Sequence, residues 1–458
     1  MVINSALDSP RQRLEVLLRA SGPSASEDIC RQLAISQPSL SRAVAAAKGR
    51  ISMFGRGKAT RYAVAREIAT AGSEFPLYAI DEAGSPTKAG VLHSVSGGRY
   101  WLQPPGGLGQ VFPDLPYFLQ DMRPQGYLGR SFPRQHGHLI VPPRIADWAS
   151  DHVTIALALA GEDCVGNLVL GRESMNRLLA REPRHFVGDD EIAREYPRLA
   201  QLARDGEPVG SSAGGEQPKF AVARENPVRG SYHALVKFSP PLTTPEGERW
   251  GDLLRCESIA PEMLEHSGVD ASRGRHLVIG DRAYLEVERF DRVGPDGRRG
   301  LVSLGAVDDE FFGSRDRYSL AGERLMGAGM LPPEDAGHLA FLEAFGMLIA
   351  NEDMHFGNVS LFSSGPFSRR FALAPAYDML PMRYRPRDED PMPDPGFEPP
   401  APHAGVLEAW AAAVPAATLH WERVAEDQEI SAGFRRIAVR NRDSVRAIVA
   451  SRPSRPRH

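Results

Sequence analysis

The sequence predicts an α+β chain in which a small basic head of helices and a hairpin precedes a larger two-lobed body. Three observations carry that reading. Charge is divided unevenly: residues 1–66 hold 11 Lys/Arg against 4 Asp/Glu, a net of +7, while residues 67–458 hold 43 against 54, a net of −11. The first 66 residues space their apolar positions as helix, helix, turn, helix and two short strands. Residues 210–378 then carry, in order, a small-residue loop, a strand with one lysine, a helix with a glutamate, and two loops that each deliver an aspartate.

Length and composition bound the rest. At roughly 100–200 residues per domain, 458 residues make two to four domains. A content of 42% hydrophobic and 24% charged residues excludes disordered, collagen-like and disulfide-scaffold classes. Cys30, Cys164 and Cys256 lie far apart without a C-x-x-C pair, so neither a zinc ribbon nor a disulfide framework is available, which fits a reducing compartment. The N-terminus lacks the apolar run of a signal peptide, and no stretch reaches the ~18 apolar residues of a membrane helix. The expectation is a cytoplasmic protein with no membrane partner.

In the head, Leu14, Val16, Leu17 and Leu18 form the stripe of a first helix. Ser24-Ala-Ser-Glu27 has the form of a capping box and predicts a second helix starting there. Ser36 is placed to cap a third helix with Pro38 in its first turn, Leu40 and Val44 inward, and Gln37, Ser39, Ser41 and Arg42 outward. Two short strands around the basic tip Gly55-Arg-Gly-Lys58 complete a winged helix-turn-helix over residues 1–66. Gln37, Ser39 and Arg42 would reach base edges, and Arg56, Lys58 and Arg61 would meet phosphates. The segment resembles the recognition helix of ArsR/MarR-like regulators. Such a module usually works as a dimer, so a homodimer is expected.

Residues 67–200 predict a β-rich region, with strands near Tyr78-Ala-Ile80, Gly90-Val-Leu-His93 and Arg99-Tyr-Trp-Leu102 and helices near residues 112–119 and 147–160. His136 and His138 are too few for a zinc site, which wants three or four ligands.

The chemistry is concentrated downstream. Gly210-Ser-Ser-Ala-Gly-Gly-Glu-Gln-Pro-Lys219 is a small-residue loop of the kind that lets backbone N–H groups approach phosphates, though a plain turn has the same composition. Lys237, at the end of an alternating strand, needs an anion among its apolar neighbours: either a ligand phosphate or a carboxylate such as Glu257. Residues 283–292 form a strand with a polar exit, and residues 339–350 an apolar helix. That helix delivers Asn351-Glu-Asp353-Met-His355-Phe-Gly-Asn358, whose D-x-x-x-x-N spacing equals that of the protein-kinase catalytic loop. Leu373-Ala-Pro-Ala-Tyr-Asp378 places a further aspartate where a metal-holding carboxylate belongs.

These segments, with Val287-Glu-Arg-Phe-Asp-Arg292, resemble the HipA family of Ser/Thr kinase toxins of type II toxin–antitoxin systems over roughly residues 75–445. The fused head is similar to solitary YjjJ-type members, in which the DNA-binding domain sits on the kinase chain. The resemblance implies an α+β, bilobal protein-kinase-like (HipA-like) fold behind a winged helix-turn-helix. It divides the body into residues 67–200, a kinase N-lobe over 201–292, a helical C-lobe over 293–450 and a disordered tail over 451–458.

By position, the resemblance implies ATP and Mg²⁺ as cofactors and Asp353 as the catalytic aspartate, with Asn358 and Asp378 holding the metal. Lys237 would bind the ATP phosphates with the loop residues Ser212, Gly214, Gly215 and Lys219. The backbone of Glu288 and Phe290 would meet the adenine, and His355 would touch phosphate or pack. Ser212, or adjacent Ser211, would be autophosphorylated. Ala213 and Glu216 depart from the commonest loop pattern. Targets would be proteins, aminoacyl-tRNA synthetases or other translation factors among them, and the effect restraint of growth.

Two other functions compete. A transcription regulator with an inactive kinase-like domain would keep Lys237, Asp353, Asn358 and Asp378 for sensing a nucleotide or ligand, and a small-molecule kinase of the aminoglycoside-phosphotransferase type would share the D-x-x-x-x-N logic. Residues 381–403, rich in Pro and Asp, read as a long irregular loop beside the site, more a surface insertion than a substrate guide.

Overall fold

A computed structural model describes residues 9–55, 60–107, 109–182, 184–206 and 217–450. It divides into two compact units, one of residues 1–81, 85–124 and 132–182, the other of residues 82–84, 125–131 and 183–458.

In the first unit, helix α1 (Pro10–Ser21) starts from a capping box: Ser9 Oγ accepts the Gln12 N–H at 3.2 Å, and the Gln12 carbonyl oxygen accepts the Ser9 N–H at 3.1 Å. Leu14, Leu17 and Leu18 are buried, whereas Val16 is 40% exposed and lies outside the stripe. The box expected at Ser24 is not made. Ser24 belongs to a two-residue strand β1 (Ser24–Ala25), where it pairs with Tyr62, and α2 (Ser26–Leu33) begins two residues later, its N-cap Ala25 making no side-chain cap. Helix α3 (Gln37–Ala46) does start from Ser36, whose Oγ accepts the Ser39 N–H at 3.4 Å. A hairpin of β2 (Ile51–Phe54) and β3 (Arg61–Val64) closes a sheet of order β1-β3-β2 over a core of Leu14, Leu18, Ile29, Leu33, Leu40 and Tyr62.

The same unit continues with strands β4 (Glu74–Ile80), β5 (Pro86–Val95), β6 (Arg99–Gln103), β7 (Gln110–Phe112) and β8 (Leu168–Leu170), an antiparallel sheet of order β7-β6-β5-β4-β8. Helix α4 (Tyr117–Gln120) is shorter than the helix expected from residue 112, because Phe112 ends a strand and Pro116 sets the helix start. Short helices α5 (Gly126–Gly129), part of the second unit, and α6 (Phe132–Gln135) follow, then α7 (Ser150–Ala160) and α8 (Arg172–Leu179). Residues of α1, the hairpin and the chain just after it contact the strands and helices that follow: Phe54 stacks on Trp101 at 4.8 Å, the Ser96 hydroxyl donates to Leu18 O at 3.1 Å, and Arg66 pairs with Asp151 at 2.5 Å.

In the second unit, α9 (Ile192–Asp205) packs on a four-stranded antiparallel sheet of order β11-β12-β10-β9, made of β9 (Lys219–Asn226), β10 (Gly230–Phe238), β11 (Gly274–Ile279) and β12 (Arg282–Glu288). The long helix α10 (Pro245–His266) lies between β10 and β11 in sequence. Buried Arg224 and Glu286 pair at 3.1 Å inside this lobe. Small strands β13 (Arg292–Val293), β14 (Gly297–Arg298) and β15 (Leu301–Ser303) lead into helices α11 (Leu304–Phe311), α12 (Tyr318–Gly327) and α13 (Pro333–Leu348), then β16 (Ser360–Ser363) and β17 (Phe371–Leu373). Helices α14 (Leu407–Glu426) and α15 (Ala432–Ala450) close the helical lobe, where the Trp421 indole donates to Leu348 O at 3.0 Å. Helix α15 buries Ile437 and Val445 but leaves Val439 38% exposed. A strand-rich lobe followed by a helical lobe is the kinase-like α+β arrangement. No helix among the described residues is long and apolar enough to cross a membrane.

Candidate active site

The upper wall is built by β10 and α10. Lys237, buried near the end of β10, donates from Nζ to Glu257 Oε1 at 2.5 Å and also to Asp378 Oδ1. Of the two anions expected for this lysine, a ligand phosphate or a carboxylate such as Glu257, the carboxylate is present, joined by Asp378. Burial opposes the ammonium, yet Asp378 and Glu257 together hold its pKa above the ordinary value. Burial pushes the Glu257 carboxyl up, partly offset by Lys237. For Asp378 the same burial is overcome by Lys237 and Lys219, which hold it below the usual carboxylate range. Lys219, opposite Lys237 in the β9–β10 register, is buried.

The lower wall is the loop after α13. Ala350 turns the chain at φ 60°, and Asn351 then bridges two segments: its Oδ1 accepts the Asp353 N–H at 3.1 Å, and its Nδ2 donates to Asp378 O at 3.2 Å. Asp378 itself sits at φ 57°, a left-handed backbone that this bond helps to fix. The Asn358 amide donates to Asp353 O at 2.8 Å, which leaves Asn358 Oδ1 for another partner. His355 is exposed, and its Nδ1 caps the following turn by accepting the Gly357 N–H at 3.1 Å. The Asp353 carboxylate is exposed and makes no hydrogen bond among the described residues. Two tyrosines brace this loop: Tyr318 donates to His355 O at 2.9 Å and Tyr377 to Gly357 O at 3.0 Å.

At the hinge, the Glu288 N–H donates to Arg273 O at 3.0 Å and its carbonyl accepts the Ser272 hydroxyl at 2.9 Å. The Glu288 N–H, expected to meet adenine, is thus engaged by Arg273 O, one residue before β11, and its carbonyl by Ser272. Phe290 packs against Tyr377 at 5.8 Å and Phe362 at 6.0 Å. Ser211, Ser212, Gly214 and Gly215 lie outside the described residues. Asn351, Tyr318 and Tyr377 escaped sequence reasoning. The signal for Asn351 was its place two residues before Asp353; the tyrosines carried none.

On the head, Gln37 and Arg42 are exposed on α3 and Ser39 is half-buried. Arg42 donates to Ser39 Oγ at 3.2 Å and Pro38 O at 3.4 Å, and the Cys30 thiol donates to Gln37 Oε1 at 3.6 Å. Arg61 donates to Thr60 O at 3.3 Å. Arg56 and Lys58 lie outside the described residues. No group of three or more potential metal-binding His, Cys, Asp or Glu side chains occurs among the described residues, His136 and His138 included.

A buried lysine paired with a helix glutamate and a loop aspartate, above an Asp–Asn loop, defines a two-lobed kinase-like protein. A family model described as the HipA-like C-terminal domain matches residues 211–451, and one described as the YjjJ-like toxin middle domain matches residues 71–179. The chain is 37% identical over 434 residues to Toxin YjjJ of Escherichia coli (strain K12), an alignment covering 94% of this chain and 97% of that one. Among solved structures, a chain of the Shewanella oneidensis MR-1 HipA, HipB and operator DNA complex is 15% identical with a TM-score of 0.49, covering 82% of this chain and 97% of its own. The Helicobacter pylori proinflammatory kinase CtkA is 13% identical with a TM-score of 0.37, covering 52% and 90%. The chain belongs to the HipA-like toxin family.

Proposed function

We propose that the chain is an ATP- and Mg²⁺-dependent Ser/Thr protein kinase of the HipA toxin type that autophosphorylates at Ser212 or Ser211. It restrains growth by modifying a cellular protein, a translation factor such as an aminoacyl-tRNA synthetase being the class expected, and carries its own DNA-binding head. The observation that carries the enzymatic part is the Lys237–Glu257–Asp378 cluster joined through Asn351 to the Asp353 loop.

The donor set fits the metal. Mg²⁺ takes hard oxygen ligands, and Asp378 offers a carboxylate kept ionised while Asn358 offers the Oδ1 that its own hydrogen bond leaves over. When bound, the metal neutralises charge on the β- and γ-phosphates. Lys237 releases Asp378 and takes a phosphate oxygen, keeping Glu257 as its anchor. Asp353, exposed and unbonded, orients the acceptor hydroxyl and receives its proton as the oxygen–γ-phosphorus bond forms and the bond to the β-phosphate oxygen breaks. Most of the catalysis is positioning and charge neutralisation.

The head supports DNA binding by its net +7 charge and the exposed Gln37 and Arg42 on α3. A dimer on paired half-sites and a cytoplasmic location follow from that reading. Incubating the chain with γ-labelled ATP and Mg²⁺, then mapping phosphate by mass spectrometry, tests the enzyme against the regulator. Phosphate on Ser211 or Ser212 is expected; no phosphate on any protein would leave a ligand-sensing regulator.

A further inference from the structure

We infer that the cleft beside the catalytic loop is the docking groove for the phosphoacceptor protein, and that it takes an extended apolar segment bearing one Arg or Lys. This deepens the kinase reading above and rests on it for the identity of the occupant.

Residues 381–403 hold little regular structure, yet they are stapled down along their length. Arg249, buried on α10, donates to Tyr384 O at 3.1 Å and Pro393 O at 2.6 Å and lies 5.1 Å over the Phe434 ring. Arg383 donates to Gly396 O at 2.6 Å and pairs with Glu352 of the catalytic loop. Arg440 on α15 pairs with Asp394 at 2.5 Å, and His403 reaches buried Glu343 on α13 at 2.8 Å. A surface insertion needs none of these bonds. The segment is a strap, and it walls a cleft of about 800 Å³ whose other sides are the end of α13, the catalytic loop and α15.

The cleft's position ties it to the chemistry. Glu352 and Met354, the neighbours of Asp353 on either side, both line it. Met354 lies so close to α13 that a Cβ at Gly346 would meet its sulfur at 2.1 Å, so a glycine there lets the loop lie against the helix. The apolar lining is Met347, Met354 and Phe397, and methionine adapts to irregular apolar partners. The charged lining is mostly matched: Glu352 with Arg383, and Arg440 with Asp394. Glu398 is exposed and has no ion pair among the described residues. The apolar patches of Met347, Met354 and Phe397 beside one unmatched carboxylate suit an apolar chain with one cation. A nucleic acid or other polyanion finds no unmatched cation in the lining to receive it.

The test pans a display library of short peptides, each with a central Ser and random flanks, on the full chain carrying Asp353→Ala, so that binding is read without transfer. Apolar peptides with one Arg or Lys should be enriched. Adding Glu398→Lys, a change at an exposed side chain, should shift the preference to Asp or Glu by about fivefold for matched peptide pairs, and adding Phe397→Ala should weaken the apolar preference. No enrichment on the parent, or the same charge preference with Glu398→Lys, overturns the groove. Labelled-ATP transfer by the unsubstituted chain is scored separately: peptide selection without transfer sinks the kinase reading alone, and transfer without peptide selection sinks the groove alone.

Discussion

The kinase-like cleft and helix α3 of the head use charge in opposite ways. In the cleft, Lys237 and Glu257 are buried and Asp378 is largely so, and each is committed to a partner at hydrogen-bond distance. On α3, Gln37 and Arg42 are exposed, and their hydrogen bonds are to near neighbours such as Ser39 and Cys30. Buried charge acts by position, so removing one member should collapse a function. Exposed basic charge acts by sum against a polyanion, so removing one member should grade it down and make the loss salt-dependent.

Four variants test this contrast, in order of decreasing effect. Lys237→Met leaves Glu257 and Asp378 without their cation, and the expected cost is about 3 kcal/mol of stability together with loss of nucleotide binding. Urea unfolding and ATP titration of the same sample read both. A variant that unfolds like wild type would show that the cluster is not held as a unit.

Buried His420 on α14 extends the comparison to a group whose ring nitrogens both lack a hydrogen bond among the described residues, and burial pushes its pKa down to about 3. A depressed folded-state value means stability is retained above the ordinary imidazole pKa of about 6.5 and lost as pH falls towards 3, by roughly 1.4 kcal/mol per pH unit. His420→Phe should flatten that part of the pH–stability curve, and an unchanged slope would assign the acid sensitivity to other groups.

Asn351→Ala cuts the bond between the Asp353 loop and the Asp378 backbone. It should cost about 1–2 kcal/mol and lower kcat more than it raises the KM for ATP, which steady-state kinetics would separate. The smallest effect is on the head. Arg42→Ala with Arg56→Ala should leave Tm unchanged and reduce the slope of log K against log salt by about 1–2. Filter binding to genomic DNA across a salt series checks this, and an unaltered slope removes those residues from the interface.

Much of the cleft was legible because its chemistry sits on short contiguous motifs: Asp353 and Asn358 are five residues apart, and Lys237 ends an alternating strand. What was illegible depends on contacts remote in sequence. Nothing local to residues 381–403 says that Arg249, 135 positions before Tyr384, will hold that segment. Tyr318 and Tyr377 brace the Asp353–Asn358 loop from 37 and 20 residues away. In the head, Ser24 had a helix-capping pattern, but pairing with Tyr62 drew it into a strand and moved the helix start, a tertiary override of a local preference. Val16 failed as part of the apolar stripe because apolar spacing marks a face without setting how wide the buried stripe is.

The central claim is phosphoryl transfer organised around Asp353. Equal amounts of wild-type and Asp353→Ala chain, matched for Tm, should be compared for transfer of label from γ-labelled ATP. Because the Asp353 carboxylate is exposed and makes no hydrogen bond among the described residues, the expected result is an unchanged Tm and a loss of rate of about 10³-fold; transfer at the wild-type rate by the substituted chain would contradict the account.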